Sequence, residues 1–121
     1  MNPAKIFTDL IVWQRAHLFV LNVYKCTGEF PREEVYALTS QFRRVAVSIA
    51  ANIAEGFKKK SNKEKVKFYN TSQGSLEECR YYLILAKDLN YGENFKMAAQ
   101  IEEVSKLLDA YISSIKTNSG Y

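Results

Sequence analysis

The chain has 121 residues, 47% of them hydrophobic and 25% charged, with a formal net charge of +4. That length gives one domain able to bury a core without disulfide or metal, and that composition excludes collagen-like, disordered and disulfide-scaffold classes. No apolar run approaches the ~20 residues of a membrane span, and Met1 to Leu10 lacks a signal peptide's basic start and apolar stretch, so a cytoplasmic protein is expected.

Thr8 or Asp9 can cap a first helix, expected over residues 10–27 with Gly28 as its stop. Leu10, Val12, Trp13, Ala16, Phe19, Val20, Leu21, Val23 and Tyr24 form one broad apolar face, opposite Gln14, Arg15, Asn22 and Lys25. Ile11 and Leu18, seven residues apart, fall in the middle of that polar side and read as a subunit contact. His17 is the only histidine and has no ligand-spaced cysteine, histidine or carboxylate. Cys26 and Cys79 also stand alone, so no metal site, no cofactor and no catalytic constellation is expected.

Pro31 suits a helix start, and Glu33 and Glu34 favour its positive end. A short turn over residues 32–36 leads into the main second helix, giving a span of about 32–57. Leu38, Phe42, Val45, Ala46, Ile49 and Ile53 step by three or four, as a core stripe does. Gln41, Arg44, Ser48, Asn52 and Glu55 form a second, polar ridge. That ridge reads as a partly buried hydrogen-bond network, with Arg44 meeting a carboxylate such as Glu78 of the next helix.

Gly56 is placed to end or bend this helix, and Phe57-Lys58-Lys59-Lys60 follows it. Ser61-Asn62-Lys63-Glu64 has the S-x-x-E form of a capping box and starts a third helix, expected over residues 62–89. Its seam is Tyr69, Ser72, Leu76, Cys79, Leu83 and Ala86, with Phe68, Ser75, Tyr82 and Leu89 beside it. Gly74 in mid-helix is expected to allow close approach of a bulky neighbour. Asn90-Tyr91-Gly92 is a turn, and a fourth helix is expected over residues 93–116 along Met97, Ile101, Val104, Leu108, Tyr111 and Ile115. Four helices with short connections make an all-α, antiparallel up-and-down four-helix bundle.

The charge is unevenly spread. Residues 43–67 hold eight basic and two acidic residues, a balance of +6, which leaves nine basic and eleven acidic residues, a balance of −2, for the rest. Arg43, Arg44, Lys58, Lys59, Lys60, Lys63, Lys65 and Lys67 are therefore the candidate nucleic-acid contacts. Lys58 to Lys60 lie at a helix C-terminus, where cations are favoured; Lys63, Lys65 and Lys67 lie at a helix N-terminus, where they are not. The interleaved rings of Phe57, Phe68 and Tyr69 read as core residues rather than as base-stacking platforms.

The segments FTDLIVWQRAHLFVLNVY, TGEFPREEVYALTSQFRRVAVSIAANIAEGFKK and GSLEE together resemble the bacterial four-helix-bundle proteins of the 23S rRNA intervening-sequence family, with SQFRRVAVSIAANIAEG as the most specific part. The family name reflects where some members are encoded. The chain is also similar to the accessory variability protein of diversity-generating retroelements, which binds nucleic acid and a reverse transcriptase. The resemblance implies a homopentameric ring, basic character at Arg43, Arg44 and the Lys58–Lys67 cluster, and structural roles for Asn52, Glu55 and Gly56. It transfers no catalytic residue. The expected function is a non-enzymatic, oligomeric scaffold for RNA or DNA; the alternative is a protein-interaction adaptor whose basic zone meets an acidic partner.

Overall fold

The computed structural model describes residues 3–119. Among the described residues there are four α-helices and no strand: α1 (Ile11–Thr27), α2 (Leu38–Lys58), α3 (Asn62–Asp88) and α4 (Phe95–Ser119). Short 3-10 turns cover Phe7–Asp9 and Arg32–Glu34. Asp9 does not cap α1. Its carboxylate instead accepts the N–H groups of Lys5 and Ile6, at 3.0 and 3.3 Å, and closes the turn before the helix. Ser61 does cap α3: its Oγ accepts the Glu64 N–H at 3.1 Å. Asn94 opens α4 in the same way, through the Met97 N–H at 2.9 Å, so α4 begins two residues later than expected. The turn before it uses left-handed backbone at Asn90 and Gly92, residue types that tolerate positive φ.

The core stripe of α2 is buried throughout, from Leu38 through Phe42, Val45, Ala46 and Ile49 to Ile53. Burying such a stripe contributes roughly 1.5–3 kcal/mol per large side chain, which is what holds a helix of this length in place. α2 packs on α1 and α3, and α4 closes the bundle against α1 and α3. Contacts between α2 and α3 pair in reverse order along the two helices: Ser48 with Ser75, Ile49 with Ser72, Gly56 with Tyr69. Arg15–Glu103 and Asn22–Gln100 tie α1 to α4 in the same reversed sense.

Two residues expected on the core face of α1 are exposed, Leu21 and Tyr24. A helix turns about 100° per residue, so Leu21 points well away from the buried Val20. The face in contact is narrower than the apolar pattern, because Val12, Ala16, Phe19, Val20 and Val23 already fill the space between α2 and α4.

The glycines exchange roles relative to expectation. Gly74 is exposed, and a Cβ there would meet nothing within 4 Å. Gly56 does not end α2, which continues to Lys58. It is buried, and a Cβ there would lie 2.7 Å from Tyr69 Cε1 and 2.9 Å from Phe68 Cβ. The close approach of α2 and α3 therefore happens at Gly56, where the Tyr69 ring passes over the backbone.

The polar ridge of α2 forms a smaller network than expected. Its partly buried part is small: the Ser48 and Ser75 hydroxyls bond at 2.9 Å, and Asn52 Nδ2 donates to the Ser48 carbonyl and hydroxyl at 2.8 and 3.0 Å. Gln41, Arg44, Glu55 and Glu78 are exposed. Glu78 accepts from the Tyr82 hydroxyl at 3.3 Å, and no ion pair joins it to Arg44 among the described residues. Two serines allow the helices to pack closely, while the long charged side chains reach water instead of bearing the cost of a buried pair.

Candidate nucleic-acid interface

The basic zone is two groups in sequence, Arg43–Arg44 and the Lys58–Lys67 cluster, and α2 keeps them apart in space. Thirteen residues of α2 lie between Arg44 and Lys58, which puts them roughly 21 Å apart along a helix that rises ~1.5 Å per residue. The arginines therefore lie near the α1–α2 end and the lysines at the α2–α3 corner.

Arg43 is committed within the fold. Its Nε donates to Thr27 Oγ1 at 2.8 Å and its Nη2 to the Tyr24 carbonyl at 3.1 Å, with the guanidinium 4.6 Å from the Tyr24 ring centroid. It thus satisfies a carbonyl at the C-terminus of α1, where the helix dipole favours a cation. Its neighbour Arg44 points to solvent and enters no ion pair among the described residues.

The corner shows the same division. Lys65 folds back onto the end of α2, donating to the Phe57 carbonyl and, at 3.5 Å, to the Gly56 carbonyl. Its ammonium also lies 5.2 Å from the Phe57 ring centroid, and burial lowers its pKa. A lysine that is unfavourable for its own helix is thereby explained by the neighbouring one: it caps the C-terminus of α2 from the N-terminal turn of α3. Lys59 is half-buried, with its ammonium 5.0 Å from the Phe68 ring centroid. Phe57 and Phe68 are half-buried and Tyr69 is fully buried, so these rings pack inward.

Lys58, Lys60, Lys63 and Lys67 remain. All four are exposed, and none is in an ion pair among the described residues. The nearby Glu64 is held at the Ser61 cap. Elsewhere cations do find carboxylates: Arg15 with Glu103 at 3.8 Å, Arg80 with Glu77 at 3.3 Å and with Glu102, and Lys87 with Glu93 at 2.9 Å. The corner thus concentrates uncompensated positive charge, the condition under which a polyanion is attracted. Among the described residues, no group of three or more His, Cys, Asp or Glu side chains is placed to hold a metal ion. His17 stacks on Trp13, with ring centroids 5.0 Å apart and planes 7° from parallel.

The family model described as 23S rRNA-intervening sequence protein matches residues 8–110. The chain belongs to that family. No curated protein matches it. The matched span contains all of α1 to α3 and most of α4, and with them both halves of the basic zone. Ile11 and Leu18 are exposed, 59% and 45%, as their place on the polar side of α1 predicts. No helix is long and apolar enough to cross a membrane among the described residues. A further arginine lies outside the basic zone of the sequence. Arg32, in the turn before α2, lines a cleft with Arg43 and Arg44; only the three-dimensional return of the α1–α2 connection brings the three together.

Proposed function

We propose that this member of the family is a non-enzymatic, cytoplasmic, oligomeric scaffold that binds RNA or DNA through the lysine corner. The observation that carries this reading is the set of four exposed lysines without carboxylate partners, Lys58, Lys60, Lys63 and Lys67, gathered around one helix–helix corner. Lysine ammonium groups on flexible stems suit phosphates at variable positions, so the surface reads a backbone rather than a base sequence. Assembly as a homopentamer, which the sequence resemblance implies, would repeat the corner around a ring. Weak contacts from each copy then combine through effective concentration.

Titration of a structured RNA and a duplex DNA across a salt series tests the proposal. Each phosphate neutralised contributes about 0.9 to the slope of log affinity against log salt on duplex DNA. Replacing Lys58, Lys60, Lys63 and Lys67 with Gln weakens binding and flattens that slope. Absence of wild-type binding at low salt contradicts the proposal. The exposed Ile11 and Leu18 support the oligomeric part. Sedimentation of wild type against Ile11→Glu/Leu18→Glu tests it, with a shift to smaller mass expected. The second reading is an adaptor without nucleic-acid binding, whose basic zone meets an acidic protein partner and in which Ile11 and Leu18 are partner contacts; that reading gains if nucleic acid fails to bind.

A further inference from the structure

Two helices of the bundle carry apolar residues on the side that faces away from the core. On α1, Ile11, Leu18 and Leu21 are 59%, 45% and 52% exposed, opposite the buried Val12, Ala16 and Phe19. With Gln14 and Lys25 they step by three and four, the spacing of a seam that packs against another helix. On α2, Val47 and Ala51 are exposed and Ala54 is half-buried, opposite the buried Phe42, Ile49 and Ile53. Stacked apolar side chains in water mark a surface that another protein covers.

The two faces match in shape and in charge. One presents long side chains and the other small ones, and the size of the side chains at a contact sets how closely two helices approach. α1 contains no acidic residue, so two copies of its face bring Arg15 and Lys25 together with no carboxylate between them. α2 contains one, Glu55. Lys25 and Glu55 are both exposed, and neither enters an ion pair among the described residues. Four residues, about 6 Å of helix, separate Leu21 from Lys25, and four separate Ala51 from Glu55. Laid parallel with Leu21 over Ala51, α1 of one copy therefore sets Leu18 beside Val47 of the next and Lys25 beside Glu55. Laid antiparallel, the same contact turns Lys25 toward Arg44, a like charge.

We propose that the α1 face of one copy seats in parallel on the α2 face of a second copy, a head-to-tail contact with Lys25 paired to Glu55. This rests on the oligomeric part of the proposed function and names the surface that Ile11 and Leu18 meet. α1 and α2 are neighbours in the bundle, so the two faces look outward in directions that are not opposite. A head-to-tail series of copies then turns at each contact and closes as a ring instead of extending as a straight filament. Lys60, Lys63 and Lys67 lie past the end of α2 and stay outside the contact.

Sedimentation of charge-reversal variants tests the pairing. Lys25→Glu and Glu55→Lys each set like charges across the contact and are expected to weaken association roughly tenfold or more, read as a smaller mass at fixed concentration. Lys25→Glu/Glu55→Lys restores opposite charges and is expected to recover the wild-type mass. Ala51→Glu fills the hollow on α2 and is expected to reduce the mass while α1 is untouched. All three positions are exposed, so the helical content of each variant should stay at the wild-type level. A wild-type oligomer whose mass is indifferent to these changes, or a double variant no heavier than the single reversals, overturns this pairing and leaves the oligomeric reading standing on another surface. A wild-type monomer overturns both.

Discussion

At one end of α2, arginines surround the start of a helix; at the other, lysines surround the end of one helix and the start of the next. Each end gives one cation to the fold. Arg43 holds carbonyl and hydroxyl groups at the end of α1, and Lys65 holds carbonyls at the end of α2. The remaining cations differ in setting. Arg32 and Arg44 are exposed along an open cleft beside the α1–α2 connection. Lys58, Lys60, Lys63 and Lys67 stand exposed on a corner with no carboxylate partner among the described residues. A count of basic residues along the chain cannot separate these roles, because the separation depends on which carbonyls lie within reach.

The largest expected effect comes from closing the corner's tightest contact. Gly56→Ala drives a Cβ to within 3 Å of both Tyr69 and Phe68 and should destabilise the protein by about 1–3 kcal/mol, measured by urea denaturation. Gly74→Ala is its counterpart in open space and should stabilise by up to about 1 kcal/mol. Equal responses at the two glycines would break the assignment of Gly56 as the α2–α3 contact. Next, Arg43→Met should cost about 0.5–1.5 kcal/mol through lost hydrogen bonds, whereas Arg44→Met should change stability by less than about 0.5 kcal/mol. Smaller again is Lys65→Met, at about 0.3–1 kcal/mol for a cation at a helix C-terminus. Smallest is the combined Lys58, Lys60, Lys63 and Lys67 to Gln change, for which denaturation should move little even where binding is lost.

Much of the fold is legible in the residues themselves. The three-or-four spacing of α2's core stripe, the Ser61–Glu64 cap and the seams of α3 and α4 all lead to four helices close to those observed. Local pattern carries these features because capping and burial periodicity are set within a few residues. Gly56 and Gly74 are read the wrong way round because a close approach depends on which neighbour passes overhead, and that is fixed by the register of α2 on α3. The expected Arg44–Glu78 pair fails for a related reason. Ser48 and Ser75 meet at the contact, and the longer side chains have water available. Within the candidate site, charge density along the chain marks the lysines that the fold gathers at the α2–α3 corner. It does not reveal that Lys65 and Arg43 are committed to helix ends, because those bonds reach 8 and 19 residues back along the chain. The cleft beside Arg32 stays hidden in sequence, because it forms only where the α1–α2 connection returns against α2.

The central claim is that the basic zone contains cations that build the fold and cations that remain free for a polyanion. The most direct measurement sets Lys65→Gln beside the four-lysine variant, reading urea denaturation and low-salt RNA binding on each. Lys65→Gln should lower stability and leave binding close to wild type. The four-lysine variant should keep its stability and lose binding with a flatter salt slope. If Lys65→Gln weakens binding as much per lysine as the four-lysine change, and both retain wild-type stability, the division is wrong.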